Sequence, residues 1–284
     1  MPWRTRLSLI LVTLLSAAAL ALGGAFAFMW YGLYDVSATG AHWQPVHSLL
    51  EVALKRAVQQ RADAHPPPAG QAELAHRALG AACFRDRCVA CHGAPGVAPE
   101  QFALGMQPVP SSLIEATRHW RPQDLYWITR HGIKMSGMPA WEYRLSEQEL
   151  WAVVAFLDDL PRMTPDAYRA MAAKSGGQCR AVAEAPAPLD PPLATVDLGQ
   201  RALRQHGCTA CHAIPGVVGP ETSVGPPLQG LARRDLIGGK VPPTAERLVA
   251  WIRDPQSIDA HTAMPTVGIS ETQARLMAEY LLRD

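Results

Sequence analysis

Cys88-Val-Ala-Cys91-His92 and Cys208-Thr-Ala-Cys211-His212 put four of the chain's six cysteines into two copies of one pentapeptide, each closed by a histidine. A CxxC pair alone has three chemistries: a disulfide, a redox-active dithiol, or half of a zinc site. A histidine directly after the second cysteine points to a fourth, covalent attachment of a haem. Two thiols three positions apart on one turn can each add across a vinyl group of the porphyrin. The next residue then projects its imidazole at the iron. The other ring nitrogen needs an acceptor to hold the ring plane, usually a backbone carbonyl. The run GPPL, residues 225–228, is the candidate loop for the second motif, and Pro108 or Pro110 for the first.

The surroundings of the two motifs also repeat. Each follows a helix-like run, AELAHRALGAACFRDR in the first copy and VDLGQRALRQHG in the second, and each continues into Pro-Gly, at Pro95-Gly96 and Pro215-Gly216. Farther on come Trp127, Met138-Pro139 and SEQELWAVVAFLDDL, matched by Trp251, Met264-Pro265 and SETQARLMAEYLL. The opposite face of each iron needs a ligand or an opening, and a thioether is a soft ligand that favours reduced iron. Met138 and Met264, at matching depth before the last helix of each copy, are the candidates; Met135, in KMSGMP, is a rival for Met138. His131, His206 and His261 lie near the motifs, and each reads more simply as a loop or surface residue.

Composition bounds the remaining readings. A chain of 284 residues, 48% of them hydrophobic, suits two small domains. A formal charge of +1 lacks the positive field on which nucleic-acid binding relies, so no nucleic-acid partner is expected. Residues 7–34 carry no charge, follow Arg4 and Arg6, and end in Trp30, Tyr31 and Tyr34. At about 1.5 Å per residue they outreach a hydrocarbon layer of about 30 Å and the short core of a signal peptide. An uncleaved single-pass anchor is expected, with the arginines inside and all later residues outside. A site such as Ala25-Phe26-Ala27 keeps cleavage open as the alternative. Between residues 36 and 70, Val46, Leu49, Leu50, Ala53 and Leu54 share one helical face ahead of a Pro-rich spacer. Lipid headgroups or a membrane partner are ranked above the chain's own first domain as its rest.

The two CxxCH motifs with late Met-Pro pairs make each copy resemble a class I cytochrome c domain, and the whole resemble a membrane-anchored dihaem cytochrome c. The resemblance implies an all-α fold: a single transmembrane helix (1–35), a juxtamembrane amphipathic helix and spacer (36–70), cytochrome c domain 1 (71–162), a linker (163–193) and cytochrome c domain 2 (194–284). It implies two covalent haem c groups, bound through Cys88, Cys91, Cys208 and Cys211, with His92, Met138, His212 and Met264 as iron ligands. It also implies that the first and last helices of each domain cross. Gly80 and Phe84, and Gly199 and Leu203, each a small residue one turn before a large one, agree with that crossing, as do the aromatics Trp151, Phe156 and Tyr280.

The first copy departs from the family's GPxL run, having MQPVPSSL instead. The dihaem subunit of cbb3-type oxidases shares the anchor and tandem haems, but its aromatic, proline-rich lead is missing here, which ranks that assignment lower.

Two saturated irons with no acid-base constellation suit electron transfer. The expected role is a carrier in the bacterial inner membrane with periplasmic haem domains, relaying electrons between a quinol- or dehydrogenase-side donor and a terminal oxidase or reductase. A dihaem peroxidase or a haem-based sensor is the alternative; either needs an iron with an open sixth position. Cys83 and Cys179, outside the motifs, have three readings: a disulfide tying the linker to domain 1, a buried apolar residue plus a free thiol, or a cross-link to another chain.

Overall fold

The computed structural model describes residues 2–68, 74–174, 179, 195–220, 222 and 224–283; the alanine- and proline-rich spacer expected at 184–192 lies outside them. Among the described residues the chain is helical, without strands; its two isolated bridges, Ala94 with Val97 and Ile237 with Val241, are turn closures. Two compact units form, Met1–His47 and Ser48–Asp284.

The first unit is dominated by α1 (Trp3–Trp30), an apolar helix with no buried residue. It starts and stops about four residues before the uncharged stretch read from sequence. The stop is a Schellman turn: Gly32 takes φ 62°, its N–H donates to Met29 O and the Leu33 N–H to Phe28 O. Tyr31 and Tyr34 therefore follow the helix rather than end it.

In the second unit, the C-terminal half of α2 (Gln44–Ala62) buries Val58 and Ala62. Arg121 donates to Gln59 O at 3.4 Å and pairs with Asp63 at 2.8 Å, and the His65 ring lies 5.6 Å from that of Tyr126. The chain's own first domain, ranked last from sequence, thus holds this end of α2. Leu49, Leu50 and Val52 in its N-terminal half stay exposed.

The first haem-type domain runs through α3 (Leu74–Arg87), α4 (Val89–His92), α5 (Gln101–Leu104), α6 (Ala116–His119), α7 (Pro122–His131) and α8 (Glu147–Leu157), and α9 (Pro165–Lys174) packs back on α3. Tyr168 of α9 meets Phe84 edge-on at 6.5 Å, and Arg85 donates to Ala172 O at 2.9 Å. The segment read as linker thus begins with a helix of the first domain. The second domain runs through α10 (Thr195–Gln205), α11 (Ala245–Arg253), α12 (Pro255–Ile258) and α13 (Glu271–Leu281).

The expected helix crossings are present, α3 on α8 and α10 on α13. A Cβ on Gly80 would collide with Ala152 O, and one on Gly199 with Leu276 O, so both crossings require backbone-to-backbone approach. Both closing helices open with a capping box, Ser146 with Glu149 and Ser270 with Gln273. Phe84 and Phe156 pack 5.3 Å apart, and Trp151 stacks on Tyr126 at 4.1 Å. Cys83 and Cys179 form a disulfide, with Cα atoms 4.7 Å apart.

The two domains touch through residues 142–144, just past the Met138 loop. Tyr143 is buried in the hydrophobic core of the second domain, the cluster that includes Leu203, Leu231, Trp251 and Met277. Arg201 of α10 pairs with Glu142 at 2.6 Å, Arg144 donates to Gln205 O at 2.8 Å, and Gln273 of α13 donates to Tyr143 O at 3.4 Å.

Replacing an exposed helical glycine by alanine normally stabilises by about 0.5–1 kcal/mol. At Gly80 the sign should reverse. Gly80→Ala is expected to lower stability by about 1–3 kcal/mol in chemical denaturation, the scale of overpacking, whereas Gly105→Ala, whose nearest contact would be 3.6 Å away, should stay within about 0.5 kcal/mol.

Candidate haem-binding sites

In the second domain, α10 ends at Gln205, and Gly207, with a φ of 73°, turns the chain into the tight turn Cys208–Ala210. The His212 N–H donates to Cys208 O at 2.9 Å, which sets the imidazole one turn past the first thiol. His212 Nδ1 lies 2.8 Å from Pro226 O, inside the GPPL run expected to supply the acceptor. A carbonyl oxygen only accepts, so Nδ1 carries the proton and Nε2 presents its lone pair. Gly225 N–H to Cys211 O at 2.7 Å and Leu228 N–H to Ala213 O at 2.8 Å hold that loop against the motif. A Cβ at Gly225 would sit 2.5 Å from His212 Cε1, so the approach of loop to ring depends on glycine.

A cavity of about 380 Å³ collects the second set of predicted residues: Cys208, Cys211, His212 and Met264 all line it. Its other walls are largely apolar, with Leu228, Leu248, Trp251, Ile252 and Ile269 among them. Gly238, at φ 57°, lets the chain lie flat on the Trp251 ring, where a Cβ would fall 2.6 Å from the indole. Met264 is held from behind, its N–H donating to Thr262 Oγ1 at 3.2 Å.

The first domain has the same parts on matching elements. The Cys88 N–H donates to Phe84 O and the His92 N–H to Cys88 O, both at 2.9 Å. His92 Nδ1 lies 2.7 Å from Ser111 O, which fixes the same tautomer. The acceptor is therefore Ser111 rather than Pro108 or Pro110. The half-buried Met138 donates its N–H to Ser136 Oγ at 3.2 Å, and its carbonyl accepts from Ile133 N–H at 3.2 Å. Gly132, at φ 66°, gives that loop room, since a Cβ there would be 2.6 Å from Met138 O. Met135 is 93% exposed, so the rival thioether points into solvent.

The pairs Ser136/Met138 and Thr262/Met264 are a shared device that sequence reading missed, although SGMP and TAMP display it. Met106 was also missed; its Sδ packs where a Cβ on Gly137 would be, 2.6 Å away. Of the three bystander histidines, only His261 is fully exposed. His206 helps line the second cavity and meets Tyr143 edge-on at 6.0 Å. His131 accepts from Arg201 at 3.1 Å, and burial, then Arg130 and Arg201, push its pKa down to about 3. The contacts that cross the domain boundary, Arg201 for His131 and Tyr143 for His206, leave no local pattern in the sequence.

The four motif cysteines form no disulfide, while Cys83 and Cys179 are bridged. Burial pushes Cys88 up to about 12 and Cys208 up to about 11. A redox dithiol works through a lowered pKa, so these pairs do not fit that chemistry. Two thiols, an imidazole with a free Nε2 and a thioether around an apolar cavity do fit a haem attached covalently and ligated on both faces. A haem held there supplies a one-electron change of iron valence.

Residues 75–157 match the family model for cytochrome c oxidase, cbb3-type, subunit III, and residues 196–283 match that for cytochrome c. The cytochrome c oxidase subunit 2 of Alkalihalophilus pseudofirmus is 32% identical over 93 residues, which cover 32% of this chain and 26% of that protein. The match thus spans about a quarter of that relative. No solved structure matches the chain. With one cytochrome c match in each half, around each CxxCH, the chain belongs to the class I c-type cytochromes, as a tandem form with two covalently bound haem c groups.

Proposed function

We propose that this electron-transfer cytochrome is a single-pass protein of the bacterial inner membrane whose two periplasmic haem domains relay electrons between respiratory partners. The observation that carries the reading is the second cavity, where both motif thiols, the oriented His212 and Met264 converge. In this reading Cys88 and Cys91, and Cys208 and Cys211, are the thioether anchors. His92 with Met138, and His212 with Met264, are the iron ligands. Both irons are then ligated on each face, so an electron can enter or leave without binding a substrate.

The apolar α1 supports the anchor, and its composition is equally that of a signal sequence. The match of domain 1 to a cbb3 oxidase subunit supports a terminal oxidase as acceptor, and a quinol- or dehydrogenase-side protein is the donor. That match covers only the first domain; the second resembles cytochrome c in general. The match of domain 1 weighs against the lower ranking that the missing lead segment gave the cbb3 subunit.

Met264→Ala and Met138→Ala should each remove the methionine-to-iron absorption band from one haem and leave that of the other. An unchanged band in both variants would overturn the ligand assignment. Gly225→Ala presses a methyl group onto the His212 ring. It should alter the low-spin magnetic resonance signal of the second haem while both haems stay covalently attached, as checked by mass spectrometry.

A further inference from the structure

We propose that Glu142, Tyr143 and Arg144 form a latch that fixes the two haem domains as one rigid body, with Tyr143 as a positioning residue for the passage of an electron between them. The inference rests on the relay reading above for its functional part and on contacts alone for the latch. At its root, the segment belongs to the first domain. The Glu142 N–H donates to Arg130 O at 3.1 Å, and the same loop has just delivered Met138 over Gly132. At its tip, Tyr143 belongs to the second domain by burial, being 1% exposed within the core that surrounds the second cavity.

Three kinds of contact close the latch. Glu142, itself 1% exposed, takes Arg201 from α10 at 2.6 Å, with Arg130 and His131 at 4.0 and 3.8 Å behind it. Burial raises the pKa of this carboxyl against the pull of the two arginines, and an arginine removed would leave it stranded. Arg144 and Gln273 then bind backbone carbonyls across the boundary, Gln205 O and Tyr143 O. Finally, the Tyr143 ring meets that of His206, two residues before Cys208, in the wall of the second cavity. A loop that carries one proposed iron ligand therefore touches the wall of the other site. The buried Tyr143 hydroxyl has no hydrogen-bond partner among the described residues, so the ring and not the hydroxyl does the holding.

The transfer itself balances without a further reactant: one iron is oxidised as the other is reduced, and no proton moves. A rigid contact serves that step because it keeps the distance between the two centres from fluctuating.

The test uses the full-length holoprotein in detergent. Calorimetry should show the wild type unfolding in one transition. Tyr143→Ala and Arg201→Gln should split it into two, with the low-spin optical spectra of both haems unchanged; Tyr143→Phe should keep one. After injection of one electron by a photoexcited reductant, equilibration between the haems should slow at least tenfold in Tyr143→Ala and less than twofold in Tyr143→Phe. A single transition with an unchanged rate in Tyr143→Ala would overturn the latch. Should Tyr143→Ala fold poorly, Arg201→Gln carries the same decision. Altered spectra in the wild type's ligand bands would count against the iron-ligand assignment and not against the latch, which calorimetry reads independently.

Discussion

The close crossing of first and last helices is the constraint on which each domain depends. At Gly80 and Gly199 the opening helix presses its backbone onto the closing one, at Ala152 and Leu276. The contact is dispersion between backbones and leaves no space for a methyl group. It sets the direction in which α3 and α10 end, and so where Cys88 and Cys208 begin. From there the order is local: one turn places the histidine, a loop carbonyl sets its tautomer, and a glycine or a hydroxyl two residues away seats the methionine loop. Lengthening the approach at either crossing would displace the whole sequence of contacts downstream.

Most of this frame was legible in the sequence because it is written in short-range pattern. CxxCH, the 3.6-residue periodicity of the helices, the glycine a turn before a large residue and the repeated Met-Pro each involve residues within a few turns of one another. The acceptor for His212 could be named because GPPL is a loop signal, whereas the first copy offers MQPVPSS, and nothing in that composition singles out Ser111 over its proline neighbours. The disulfide was one of three readings, since pairing across 96 positions is a question of three-dimensional proximity. The hydroxyls of Ser136 and Thr262 were in plain view and were overlooked.

What stayed illegible lies between domains. His131 and His206 read singly as loop or surface residues and Glu142, Tyr143 and Arg201 carry no local motif, yet contacts across the domain boundary join them. The same holds for the C-terminal end of α2, which Arg121 holds through Gln59 O, while Leu49 and Leu50 of the apolar face that suggested lipid stay exposed. Amphipathic periodicity tells that a helix face is covered and is silent on the cover. The chain also shows how tandem copies diverge: the frame is kept in both, and the novelty collects where one copy borders the other.

The bridge between Cys83 and Cys179 has a consequence for how such a protein is made. A compartment oxidising enough to close it must at the same time leave Cys88, Cys91, Cys208 and Cys211 unoxidised. What the folded chain contributes is selection by nearness: it carries Cys83 and Cys179, 96 positions apart, to Cα atoms 4.7 Å from each other, within the span a disulfide needs.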